Sequence, residues 1–276
     1  TPAFSGEIAP ELNQRLALLG NNSDIQVLVF LAQEIAPLPQ VVDRVEQIGH
    51  QKQQAAASQR ALLEYLATLK TGNFIGDFNP FWIMNAVYVA GKKSAITAIA
   101  THPDVGRIEF NNILTLPPVI KGPSIKDLGL RAGTTEANVI QVGAPDIWAL
   151  GIDGTGVKIG VVDTGIRATH VTLSGKISKA ATFNTSGVKS ADTAEDLNGH
   201  GTHVAGVLVG SSGSTKIGVA PGATLLVARV FDAGGSSSSV TRAAGGIEWA
   251  LDPDGVTSTD DGADVTLAER SRPPIA

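Results

Sequence analysis

An α+β domain of split β-α-β type, followed by the opening of an α/β domain with a parallel sheet, is the architecture this sequence predicts. Two observations carry it. Between residues 24 and 110 the apolar patterning runs in the order strand, helix, two strands, helix, strand. Beyond residue 150 two mostly apolar runs, Val157–Val162 and Leu225–Phe231, stand between glycine turns. The first order is that of a split β-α-β sandwich with helices over an antiparallel sheet, and the second pattern suits parallel strands buried on both faces.

In chain order, residues 1–23 are expected as an N-terminal extension in which Pro10 to Leu19 forms a short helix ending at Gly20-Asn21-Asn22. Residues 24–116 form the α+β domain. Asp24 to Leu31 reads as its first strand, and Gln51 to Lys70 as a helix with Leu62, Tyr65, Leu66 and Leu69 on one face, stopped at Thr71-Gly72-Asn73. Phe74 to Val89 reads as a hairpin. Ser94 is placed to cap a second helix whose Ile96 and Ile99 face inward, ended by His102-Pro103, and Val105 to Phe110 is the last strand. Residues 117–137 are polar and rich in Pro and Gly, which marks an exposed linker. The α/β domain occupies 138–276. Its segment from Lys176 to Thr193 reads as loop, and Gly246 to Leu251 as helix.

Composition narrows the function. With 276 residues, 43% of them hydrophobic and 17% charged, there is ample material for one or two soluble domains. A net charge of −5 supplies no basic patch, so neither nucleic acid nor an anionic membrane is an expected partner. The absence of cysteine excludes disulfides and thiol catalysis and is compatible with secretion. No run reaches membrane-spanning length and no signal peptide is visible; because residue 1 is Thr, an upstream segment is expected to have been removed or omitted.

Chemistry concentrates in Asn198-Gly199-His200-Gly201-Thr202-His203-Val204-Ala205-Gly206, where a glycine turn delivers a histidine to the first turn of a helix of small apolar residues. Gly201, Ala205 and Gly206 let another backbone pass close by. Upstream, the Val157–Val162 strand ends in Asp163-Thr164-Gly165, a carboxylate followed by a tight turn. An aspartate so placed is suited to hold an imidazole. Three other readings fail. A second Asp-Thr-Gly, which an aspartic protease needs, does not occur. Gly151, Gly154 and Gly156 precede their strand, unlike a dinucleotide loop. His203 pairs with His200 at i, i+3 without an acidic partner, which is a poor zinc site, so no metal is assigned and His203 reads as structural.

Asp163-Thr164-Gly165, the His200-Gly201-Thr202-His203-Val204-Ala205-Gly206 stretch and the strand opening after Gly218-Val219-Ala220-Pro221-Gly222-Ala223 together resemble the subtilisin-like serine proteases; Asn138 to Trp148 resembles the entry of their catalytic domain, especially in the bacillopeptidase F-like branch. The resemblance implies an α+β ferredoxin-like prodomain followed by an incomplete α/β subtilisin-like domain: the zymogen of a secreted endopeptidase acting on protein or peptide substrates. The prodomain would template folding and lay its C-terminal tail in the active-site cleft. By position, Asp163 is the orienting acid and His200 the general base of an Asp-His-Ser triad. Ser236 and Ser237, in the Gly234–Ser239 loop, lie near the edge that pairs with substrate backbone in the family.

The resemblance also marks departures. After Val265 the family continues into a strand of Asn-x-Ser-Leu-Gly type, whereas this chain has Thr266 to Ala276 with Arg270, Arg272, Pro273 and Pro274, poor material for a central strand. The segment is therefore expected to be out of pattern after 265 through truncation or frameshift. No asparagine follows Asn198 and no serine follows in a Gly-Thr-Ser setting, so the nucleophile and the oxyanion amide are missing. Cofactors are expected to be none: the family's calcium-binding positions fall at Thr172 and at Ser211-Ser212-Gly213-Ser214, which offer no carboxylate. The alternative function is that of a catalytically inactive module that only binds or inhibits a protease.

Overall fold

The computed structural model describes residues 6–36, 43–116, 135–231 and 237–268. They divide into two compact units, the first comprising the described residues of 1–112 with 185–188 and 255–260, the second those of 113–184, 189–254 and 261–276.

The first unit runs β1 (Glu7–Ile8), α1 (Pro10–Leu18), β2 (Asp24–Leu31), α2 (Arg44–Thr71), β3 (Ile75–Phe81), β4 (Ala86–Lys92), α3 (Lys93–Ile99) and β5 (Val105–Phe110). Its sheet has the order β1-β5-β2-β4-β3, with β2 antiparallel to both β4 and β5, β3 antiparallel to β4, and β1 parallel to β5. Alternation places Val27 and Val29 of β2 and Val87 and Val89 of β4 on one face, where Leu62 and Leu66 of α2 and Ile96 and Ile99 of α3 cover them. All eight side chains are fully buried. Each contributes about 1.5–3 kcal/mol by leaving water, which is why the helices stay on the sheet.

Three sequence expectations change here. The segment expected as an extension supplies β1 to the sheet and Leu12 and Leu16 of α1 to the core. Helix α2 begins at Arg44 instead of Gln51, because the Asp43 side chain accepts the Glu46 N–H at 2.9 Å. That Asp-x-x-Glu spacing is an N-terminal cap written in the sequence. Ser94 is not the cap of α3. The helix starts one residue earlier, and the N–H groups of Lys93 and Ser94 donate to the carbonyls of Ser23 (2.9 Å) and Asn21 (3.2 Å), so the preceding turn satisfies them without a side chain.

The second unit runs β6 (Ile113–Thr115), α4 (Ala137–Gln141), α5 (Ala144–Ala149), β7 (Lys158–Asp163), β8 (Ile177–Phe183), β9 (Lys189–Ala191), α6 (His200–Val209), β10 (Ser211–Ser212), β11 (Thr215–Lys216), β12 (Thr224–Arg229), β13 (Ser237–Ser239), α7 (Val240–Leu251) and β14 (Val265–Ala268). The main sheet has the order β14-β7-β12-β8-β9 and is parallel except for the β8–β9 pair. On one face Ile159, Val161, Leu225 and Val227 meet Ala205 and Val209 of α6; on the other, Val162 and Ala228 meet Ala250 of α7. Among the described residues no helix is long and apolar enough to cross a membrane.

Here too the sequence reading needs correction. Lys176 to Thr193, expected as loop, contains β8 and β9; exposed Ser178 and Lys179 hide a strand whose buried end is Ala181 to Phe183. The chain also stays in strand for three residues past Val265. Thr266, Leu267 and Ala268 pair in parallel with Gly160, Val161 and Val162, since a backbone ladder needs no long apolar run to form. Arg270, Arg272 and the two prolines lie outside the described residues, as do residues 117–134 of the expected linker. The first unit closes after Asn112 instead of Leu116, because β6 is bound by β13.

Candidate active site

Strand β7 ends on Asp163, whose side chain is 1% exposed at the carboxyl end of a parallel sheet, where α/β folds open their clefts. The chain then turns through Gly165 at φ +102°, and a Cβ there would meet the Ala194 carbonyl oxygen at 2.5 Å. Helix α6 starts at His200 behind Gly199, itself at φ +103°. These two left-handed glycines leave the imidazole beside the carboxylate: His200 Nδ1 lies 2.9 Å from both Asp163 Oδ1 and Oδ2. A proton on Nδ1 is thus shared with an acceptor-only group, and the Nε2 lone pair remains available.

Around this pair runs a second layer that the sequence reading did not single out. The half-buried Asp196 accepts from the N–H groups of Asn198 (3.0 Å), Gly199 (2.8 Å) and Thr202 (2.9 Å) and from the hydroxyls of Thr202 (2.5 Å) and Thr164 (2.9 Å). Burial alone would raise its carboxyl; the Thr202 hydroxyl and the three backbone donors outweigh that and hold it below the usual aspartate value. Thr164 in turn accepts the Gly201 N–H at 2.9 Å and donates its own N–H to Asp163 Oδ1 at 2.6 Å. The signal that could have found Asp196 is an Asx residue two or three positions before a glycine at a helix start, a turn pattern in which the side chain binds the backbone ahead of it.

Ser237 opens β13, which pairs antiparallel with β6 in the register Ser237–Thr115, Ser238–Leu114 and Ser239–Ile113; Ser236 lies outside the described residues. His203 is exposed on α6. Thr172 accepts the Ser211 N–H through its carbonyl at 2.9 Å, and Ser211–Ser212 pairs with Thr215–Lys216 as a hairpin. Among the described residues the one group of side chains close enough to hold a metal is Asp252, Asp254 and Asp261, with ligand atoms within 4.8 Å of one another; Asp261 also pairs with Lys179 at 2.5 Å.

Comparison with known proteins identifies the setting of the Asp163–His200 pair, for the Subtilase family model (peptidase S8) matches residues 154–266. This segment belongs to the subtilases. Bacillopeptidase F of Bacillus subtilis (strain 168) is 31% identical over 216 residues, covering 72% of this chain and 15% of that protein. Thermitase of Thermoactinomyces vulgaris is 40% identical over 114 residues, covering 41% of this chain and 39% of its own length. The crystal structure of fervidolysin from Fervidobacterium pennivorans, described as a keratinolytic enzyme related to subtilisin, matches with a TM-score of 0.56 at 19% identity, over 96% of this chain and 37% of that one. At that identity the likeness speaks to fold. The subtilase segment thus holds both Asp163 and His200, and the chain spans under half the length of these relatives.

Proposed function

We propose that the chain is the front part of a subtilisin-like serine endopeptidase precursor, with Asp163 as the orienting acid and His200 as the general base of an Asp-His-Ser triad. The observation that carries the reading is the 2.9 Å contact of His200 Nδ1 with both carboxylate oxygens inside a subtilase segment. In peptide-bond hydrolysis the imidazole Nε2 takes the proton of the nucleophile and returns it to the leaving amine. Asp163 holds the ring in the required tautomer and stabilises the imidazolium formed in between. Neither step draws on a metal.

The first unit supports a prodomain of ferredoxin-like type. Without β1, its order β5-β2-β4-β3 is that of two interleaved β-α-β units. The β6–β13 ladder supports the further reading that the segment after β5 lies along the edge offered to substrate backbone, Ser237 among its residues. Protein or peptide substrates, a prodomain partner and secretion follow from this reading. Calcium does not, since Thr172 and Ser211–Ser212 supply no carboxylate.

A second reading is favoured by one observation: no serine after His200 stands in a Gly-Thr-Ser setting. On it, these 276 residues act only as a protease-binding or inhibitory module. A fluorogenic peptide assay with a serine-directed phosphonate probe, run beside inhibition of a complete subtilase, separates the two. The expected result is no hydrolysis, no labelling and inhibition of the complete enzyme. Hydrolysis abolished by His200→Ala would establish the enzyme reading for this chain by itself; no inhibition at all would sink the module reading.

A further inference from the structure

We propose that Asp196 is the positioning residue of the Asp163–His200 pair, an inference that rests on reading that pair as the acid and base of the site. Its carboxylate collects five donors from three places: the turn before α6 (Asn198 and Gly199), the first turn of α6 (Thr202, twice) and the residue next to Asp163 (Thr164). An ionised carboxylate has about four lone-pair sites and no proton, so only acceptor geometry fits such a convergence. The Thr164 hydroxyl gives its hydrogen to Asp196 at 2.9 Å, which leaves its oxygen to accept the Gly201 N–H at 2.9 Å. Thr164 N–H meanwhile fixes Asp163 Oδ1.

The result is a closed chain of bonds from the acid, through Thr164 and Asp196, to Gly199 and Gly201, the two residues flanking the base. With both neighbours fixed, the His200 Cα has one place to be. Charge-assisted bonds of this kind are the strong ones in a half-buried site. An amide in place of the carboxylate would turn an N–H₂ group toward N–H donors, breaking the convergence while keeping the size of the side chain.

A plain helix cap would give a different result. Asp196 bonds the third residue of α6, Thr202, so its loss would cost stability whatever its effect on the pair. The test therefore reads the pair itself: the downfield proton resonance of the His200 Nδ1–H bonded to Asp163, assigned by its absence in His200→Gln, with circular dichroism as the control for folding. Asp196→Asn and Thr164→Val are expected to lose or displace this resonance, while Thr164→Ser and Thr202→Ser, which keep the hydroxyl, retain it. Thr164→Val leaves the Asp196 bonds to the helix start in place while cutting the link from Asp163's neighbour to both Asp196 and Gly201, so it reads the bridge apart from the cap should Asp196→Asn fail to fold. A resonance unchanged in Thr164→Val overturns the proposal. Absence of the resonance from the unaltered chain overturns the pairing itself, and neither outcome depends on whether the chain hydrolyses peptides.

Discussion

A Cβ placed on Gly201 would stand 2.1 Å from the carbonyl oxygen of Gly165 and 3.2 Å from Asp163 Oδ1. The second residue of α6 therefore touches the turn that leaves β7. Contact this close is open only to glycine, and it sets how near the base comes to the acid.

Gly201→Ala should accordingly cost about 1–3 kcal/mol, the usual range for overfilling a packed site. The backbone of Gly165 has to retreat, so the His200–Asp163 contact should open as well. Urea unfolding with the downfield resonance as a second probe checks both; an alanine variant as stable as the unaltered chain, with its resonance intact, contradicts the geometry.

How much of this was legible beforehand depends on what each element relies on. Strands β2 and β5 were readable because Asp24 to Leu31 and Val105 to Phe110 carry their own apolar pattern, and Asp163 and His200 because two short motifs bracket them. Elements held by backbone pairing alone were not. Nothing in Glu7–Ile8 announces a strand until β5 is there to receive it, and Thr266 to Ala268 becomes a strand by lying against β7. Asp196 escaped notice for a related reason: its meaning lies in convergence, and Thr164, 32 positions away in sequence, supplies one of its donors.

Leu62 should be among the costliest truncations in the first unit. It is fully buried between α2 and the sheet, so Leu62→Ala is expected to destabilise that unit by about 2–5 kcal/mol. Hydrogen exchange read by mass spectrometry should show the loss in peptides covering β2 and β4. Unchanged protection there would mean that α2 does not cover this face in solution.

Tyr88 supplies a pH dependence. Burial, followed by the nearby Asp77 carboxylate, raises its phenol above the ordinary value of 10.0. The folded chain favours the neutral form, so the contribution is whole below pH 10.0 and fades as pH climbs past that value through the folded pKa. Tyrosinate absorbance should contain a step above pH 10.0 that Tyr88→Phe removes. A removed step at or below that pH contradicts the burial of the ring.

Strand β12 lies between β7 and β8 although it follows both in sequence. Without it those two strands stand apart by two ladder spacings, about 10 Å, with nothing to hydrogen-bond across the gap. A ribosome that has completed His200 has made both members of the pair, yet the strand that joins β7 to β8 arrives only with Thr224–Arg229. The sheet that carries the acid is therefore completed late, by insertion of a central strand, a slow class of event because it closes long loops before it is rewarded. Until β12 is delivered, β7 of the nascent chain, which carries Asp163 at its end, has neither of its sheet neighbours, since β14 comes later still.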